Sequence, residues 1–327
     1  MSESAESPTP SWNGGDSAVT PKPPTWKRRM IETAAILLVT LLLLEGVLRV
    51  MGLADPVLYT ADEHAGYRLQ PDQHVSILGN EIAINRWGVR EPRALETKNP
   101  DTPRILVLGD SVTWGGIREK QENLFTSVAE SRLEGTEVIN CGVNGYSVTQ
   151  MVAMYRHHLT LLNPDFVVFF AIPRDFTRPP VVRLTGTGVA FPEEPPRSAL
   201  LAAANLARFT AAHRYGWKWL QPRPDVLPER QSTGDALEEN VASVVALAAE
   251  IPAGSILVVL MPTAEGTKDA DRIGDIEKAL DADEVSFVNL ADRIEITPDL
   301  YLDGVHLKTE GHRRVGTALA EIIAPLL

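Results

Sequence analysis

From residue 103 onward, short runs of mostly apolar residues alternate with longer segments in which apolar residues recur every three or four positions. The runs are 105–108, 138–140, 166–171, 256–261 and 286–289. Apolar runs of this length fit strands buried on both faces, whereas strict alternation would mark a strand with one wet face. Between and after them, residues 122–133, 148–162, 235–250, 271–280 and 310–326 carry helical periodicity. Strand and helix in alternation predict an α/β domain, a parallel five-stranded sheet with helices on both faces. Ligands of such sheets bind beyond the carboxyl ends of the strands. Residues 179–234 interrupt the alternation with Pro179, Pro180, Pro192, Pro195, Pro196, Pro222, Pro224 and Pro228 and read as an insertion, with a lid as one role. No internal repeat is seen.

Upstream the pattern is different. Residues 1–25 are rich in Ser, Pro, Gly and Glu, with Trp12 their one large apolar side chain, and read as a disordered tail. Lys27-Arg28-Arg29 then precedes an apolar stretch, and 26–53 reads as a transmembrane anchor. Against a span, the uninterrupted run 34–44 is short, and Glu45 and Arg49 follow it, where a charge at mid-membrane costs about 2.5–3.5 kcal/mol. In favour, Glu45 and Arg49 stand four apart, the spacing of an ion pair on one helix face, and Arg49 lies near the far end, where it can snorkel. A cleaved signal peptide, with a weak site at Gly52-Leu53-Ala54, and a peripheral helix are the alternatives. Basic residues before the run and Asp55, Asp62 and Glu63 after it put the tail in the cytoplasm and 54–327 outside. Residues 54–100 form a leader, in which 75–78 and 81–84 predict a hairpin turning at Gly79-Asn80.

Charge and composition narrow the function. A net charge of -12 is a poor match for nucleic acid. The single cysteine, Cys141, forms no internal disulfide, and no zinc or EF-hand spacing is present. Gly109, Gly115 and Gly116 follow a strand but lack dinucleotide-binding spacing.

Two segments carry chemistry. Ser111 ends Arg104-Ile105-Leu106-Val107-Leu108-Gly109-Asp110-Ser111, so it stands at the carboxyl edge of the first strand, with Gly109 allowing a tight turn. A serine hydroxyl needs a base to become a nucleophile. Of seven histidines, His157 and His158 lie mid-helix on a basic, solvated face; His64, His74 and His213 have no motif around them; His312 falls in the last helix. His306, in Asp303-Gly304-Val305-His306 just before that helix, has an aspartate three residues ahead that can orient its ring. Either segment alone is weak; their placement at the first strand and before the last helix strengthens both.

Residues 106–113 resemble the first signature block of the GDSL/SGNH hydrolase family, and Asp303-Gly304-Val305-His306-Leu307 with Gly311-His312 resembles its last. Asn140-Cys141-Gly142-Val143-Asn144-Gly145 resembles the second block. The resemblance covers about residues 103–327, within a domain read as 101–327, and the leader with its anchor (26–100) also resembles an arrangement found in the family. It implies a three-layer, flavodoxin-like fold, ester or acyl chemistry without a cofactor, Ser111 as nucleophile, His306 as base then acid, and Asp303 as its orienting carboxylate. It further implies an oxyanion N–H from Gly145, with Gly142 as the fallback, against the reading that both glycines only shape a turn. One block departs. Where the family has Gly-x-Asn-Asp, this chain has Ile172-Pro173-Arg174-Asp175, and Arg174 stands where the asparagine donor is expected. Three readings follow: Arg174 replaces the donor, the hole is weaker, or Arg174 binds an anionic substrate group. The plain alternative is a salt bridge with Asp175 or a neighbour.

Tyr215, Trp217 and Trp219 either pack the insertion or line a sugar or lipid site, and Trp114 lines the pocket or packs the core. The leading expectation is a membrane-tethered serine esterase acting on a small-molecule or glycan ester, such as O-acyl groups of an envelope polysaccharide. An O-acyltransferase with the same triad and a non-catalytic glycan- or partner-binding module are the alternatives.

Overall fold

In the computed structural model of the protein, residues 25–95, 98–180, 184, 186, 190–215, 235–264, 266 and 269–327 are described. The expected disordered tail, apart from Thr25, lies outside these residues, as do Trp217, Trp219 and the prolines at 222, 224 and 228. Two units are distinguished, residues up to Leu44 and a compact body from Glu45 to Leu327.

The chain opens with α1 (Trp26–Val50), whose apolar side chains, among them Ile36, Leu38 and Leu42, are exposed. It is long and apolar enough to cross a membrane. Glu45 and Arg49 pair at 2.8 Å across one turn, as their spacing predicts.

Two hairpins follow: β1 (Tyr59–Asp62) with β2 (Gly66–Leu69), and β3 (Gln73–Ile77) with β4 (Asn80–Ile84). The second turns one residue earlier than expected. Ile77 pairs with Asn80, so Leu78-Gly79 is the loop, with positive φ at both residues as this tight turn requires. The Leu78 N–H donates to Met51 O, and the Asn80 side chain donates to Ile117 O and Arg118 O instead of forming the turn. The first hairpin was not legible from the sequence.

The main body runs β5 (Arg104–Gly109), α2 (Ser111–Trp114), α3 (Phe125–Glu130), β6 (Glu137–Gly142), α4 (Val148–Met154), β7 (Phe166–Ala171), α5 (Pro173–Thr177), α6 (Ala199–Tyr215), α7 (Ala236–Ala248), β8 (Ile256–Leu260), α8 (Ala270–Ala282), β9 (Phe287–Asn289) and α9 (Thr309–Ile323). The five strands form one parallel sheet in the order β6-β5-β7-β8-β9. This is the doubly wound, flavodoxin-like order, with its switch point beside β5.

Alternate residues of each strand bury on opposite faces. Leu106, Leu108, Val167, Phe169, Val258 and Leu260 pack with Met151 and Val152 of α4, Val244 of α7 and Ile276 of α8. Ile105, Val107, Val168, Phe170 and Val259 pack with Phe125 of α3 and Val315 and Leu319 of α9. Burial on both faces is why β5, β7 and β8 read as unbroken apolar runs. Tyr59, Tyr67, Leu69, Ile82 and Ile84 of the leader join the first of these clusters, so residues 54–100 share the core of the sheet.

Helical periodicity held better than helix length. Over 122–133, Leu124 takes an extended backbone and splits the segment into a short 3-10 turn and α3. Over 148–162, α4 gives way to one wide π turn at 155–159, which carries His157 and His158. These two are not simply solvated: His157 stacks on His64 of the leader, and His158 Nε2 meets Asp62 Oδ2 at 2.6 Å.

Candidate active site

The fold brings Ser111, His306 and Asp303 into one line of hydrogen bonds. Ser111 Oγ lies 2.9 Å from His306 Nε2, and His306 Nδ1 lies 2.8 Å from Asp303 Oδ2. Asp303 Oδ1 accepts the N–H groups of Val305 and His306, each at 2.9 Å. With Nδ1–H donating to Asp303, Nε2 is the nitrogen left to accept the serine proton.

Local sequence explains how the serine is presented. A Cβ at Gly109 would sit 2.7 Å from Phe170 O and closer still to the Thr113 side chain, so only glycine fits where β5 meets its neighbour strand and α2. Asp110 caps α2, its Oδ1 accepting the Val112 N–H at 2.8 Å. At the other end of the helix, Arg90 of the leader is fully buried and donates to Trp114 O, Gly116 O and Glu119 O. Its guanidinium also lies over the Trp114 ring, so Trp114 belongs to the core.

The Asp-Gly-Val-His loop is held in turn. Leu302 N–H donates to His306 O at 2.7 Å, and Ala264 N–H to Gly304 O at 2.9 Å. Next to it, burial pushes the His312 ring down to about 4, so it stays neutral and Nδ1 accepts the Phe125 N–H at 3.2 Å.

The 142–146 loop separates the two glycines. Gly142 N–H is taken by Asn140 Oδ1 at 3.0 Å, and a Cβ there would strike α2. Gly145 has φ +75°, and its N–H, like that of Ser111, has no acceptor among the described residues. The leader fixes this loop: Tyr67 Oη donates to Asn144 O at 2.6 Å, and Asn144 Nδ2 donates to Tyr59 Oη at 2.7 Å. These leader contacts carried no signal in the sequence.

Arg174 is exposed in the first turn of α5, its side chain without a hydrogen bond or ion pair among the described residues. The alternative of a salt bridge to Asp175 does not form. Asp175 is fully buried and pairs instead with Arg178, whose Nη2 also donates to Tyr146 O and, at 3.2 Å, to Asp110 Oδ2. Burial, and then the neighbouring Asp110, raise the Asp175 carboxyl well above the usual range, against the pull of Arg178. One guanidinium thus ties together the residue before Ser111, the 142–146 loop and α5. The three-residue spacing of Asp175 and Arg178 was the only sequence signal of it.

The electrostatics suit proton transfer. Burial disfavours a charged His306 ring, but the hydrogen bond and charge of Asp303, with a contribution from Asp110, outweigh it and raise the ring above its ordinary 6.5. Burial likewise acts to raise Asp303, but the His306 ring and the two backbone N–H groups hold it well below the usual carboxylate range. Only the neutral ring can take the serine proton. The rate of inactivation by a fluorophosphonate should therefore rise with pH through a single titration with its midpoint above 6.5. A flat profile between about pH 5 and 9 would show that no such base acts. The stability that the charged ring contributes has the opposite sense: it is fully present below 6.5 and lost as pH rises through the raised value.

No protein-family model matches the chain, and no curated protein matches it. Among solved structures, it is similar to a lipase/acylhydrolase from Enterococcus faecalis at 13% identity and TM-score 0.44, covering 68% of this chain and 96% of that one. It is also similar to a carbohydrate acetylesterase family member from Sinorhizobium meliloti at 20% identity and TM-score 0.37, covering 69% and 99%. A putative lipolytic protein of the G-D-S-L family from Desulfitobacterium hafniense gives 12% and 0.38, covering 67% and 98%. At these scores the likenesses carry no weight for activity.

Proposed function

We propose that this protein is a GDSL/SGNH-type serine ester hydrolase tethered to a membrane by α1. The observation that carries the reading is the unbroken line Ser111 Oγ–His306 Nε2 and His306 Nδ1–Asp303 Oδ2, at 2.9 and 2.8 Å.

Ser111 Oγ attacks the ester carbonyl carbon as its proton passes to His306 Nε2. The carbonyl π bond becomes a negatively charged oxygen, received by the Ser111 and Gly145 N–H groups. Arg174, whose side chain has no partner among the described residues, is the third donor or the holder of an anionic substrate group. Collapse breaks the bond to the alcohol, which leaves with the proton from His306. Water then gives a proton to His306 and attacks the acyl-serine, releasing the acid and restoring Ser111. If a sugar hydroxyl enters instead of water, the same intermediate gives acyl transfer. The basic residues Lys27, Arg28 and Arg29 in the first turn of α1 and the acidic ones after the helix support a catalytic domain outside the cytoplasm. A glycan ester of the envelope fits that location.

The test is hydrolysis of p-nitrophenyl acetate by the full chain in detergent. A burst of p-nitrophenolate stoichiometric with protein, followed by turnover and absent in Ser111→Ala, is the expected result. A burst with slow turnover that glycan hydroxyls accelerate would favour transfer. No release by folded protein would support the binding-module reading, which the loss of the asparagine at position 174 favours.

A further inference from the structure

Glu45 is a charge near the end of an apolar helix, and its partners say what lies there. Oε1 accepts the Ala199 N–H at 2.9 Å and pairs with Arg49 Nε at 2.8 Å. Oε2 accepts the Ser198 hydroxyl at 2.8 Å and the Leu200 N–H at 2.9 Å. Arg49 Nη2 donates to Arg197 O at 2.7 Å. The last part of α1 is therefore fastened to the first turn of α6.

The outer surface of α6 is unusual for a helix in water. Residues 199–207 contain no charged side chain and one polar one, Asn205. Leu201 is 66% exposed, and Ala204 and Ala207, three and six residues on, are exposed with it. A solvated helix face carries polar and charged groups, whereas this one is apolar and bounded by the exposed Arg197 and Arg208. An exposed apolar helix face flanked by arginines can seat its side chains against acyl chains while the guanidiniums reach the headgroups.

Depth agrees with composition. At 1.5 Å per residue, Glu45 lies about 7 Å along the helix from Val50. If α1 spans the bilayer to its end, the start of α6 is held within the zone of about 5–10 Å that interfacial helices occupy. We propose that α6 lies in the surface of the bilayer that α1 crosses, with Leu201, Ala204 and Ala207 against acyl chains and Arg197 and Arg208 at the phosphates. This rests on the reading of α1 as the anchor. It also accounts for Glu45, whose carboxylate is fully bonded at the depth where a bare charge would be costly.

The experiment uses the full chain in vesicles of phosphatidylcholine and phosphatidylglycerol, with a nitroxide at single cysteines in a Cys141→Ala background. Labels go at Leu201, at Leu38 in α1, and at Leu161, which is 79% exposed on the body. Power saturation with oxygen and with a nickel chelate reads lipid against water. The oxygen-to-nickel ratio at 201 should exceed that at 161 by about fivefold or more and approach that at 38. A ratio at 201 equal to that at 161, with 38 still lipid-like, overturns the placement of α6 and leaves the anchor intact. A label at 201 shielded from both reagents points to a protein partner and overturns it too. A water-like ratio at 38 removes the anchor and the inference with it.

Discussion

Arg178→Met lowers the unfolding free energy by about 3–5 kcal/mol at neutral pH, the cost of leaving buried charges without their partner. Arg178 is 14% exposed and its partners Asp175 and Asp110 are 0% and 4% exposed, so water screens the loss poorly. The deficit has a predictable pH dependence. Without the guanidinium, which pulls the Asp175 carboxyl down, the native state holds a proton on Asp175 still more tightly than the unfolded chain does. Carboxyl groups raised in the folded state favour it at low pH and penalise it as pH rises. The gap between the variant and the parent protein should therefore narrow as pH falls from about 8 to 5. Urea unfolding at several pH values reads this directly. A loss under about 1 kcal/mol, or one that does not vary with pH, would show that the Asp110–Arg178–Asp175 group is not the structural tie described here.

Asp303→Asn should lower the rate of serine acylation by about 10³–10⁴. The amide offers no charge to the imidazolium and does not hold Nδ1–H in the donor role. Two changes should appear together, because Asp303 is the main group that raises His306, with Asp110 adding to it. As the rate falls, the midpoint of its pH dependence moves down toward and below 6.5. A drop in rate with an unmoved midpoint would assign Asp303 a purely structural part in the loop, where its Oδ1 binds the Val305 and His306 N–H groups.

What could be read from the chain, and what could not, follows from the range of the interactions. The central strands were legible because β5, β7 and β8 are buried on both faces and so read as apolar runs, as 105–108 and 166–171 do, whereas the edge strand β9 is only partly buried. Ser111 and the 303–306 loop stood out because position in an α/β alternation puts them at the carboxyl edge of the sheet. Arg90, Tyr59 and Tyr67 left no such trace. Their partners lie in Trp114, Gly116 and Asn144, far along the chain, and no local pattern reports a contact of that range. The leader consequently read as a separate piece although it shares the core. Arg178 was passed over for Arg174 because the resemblance drew attention to one position, while burial selects the other. The hairpin slipped by one residue because Gly79-Asn80 satisfies a turn rule that Leu78-Gly79 satisfies in fact. In the insertion, the prolines obscured an alanine-rich segment that forms α6.

The central claim is that Ser111 is made nucleophilic by His306 and Asp303. The most direct test is covalent labelling of the folded full chain by a fluorophosphonate, with mass spectrometry of the labelled peptide. The account predicts one label, on Ser111, absent in Ser111→Ala. Folded protein that takes no label, or a label that persists in Ser111→Ala, would contradict it.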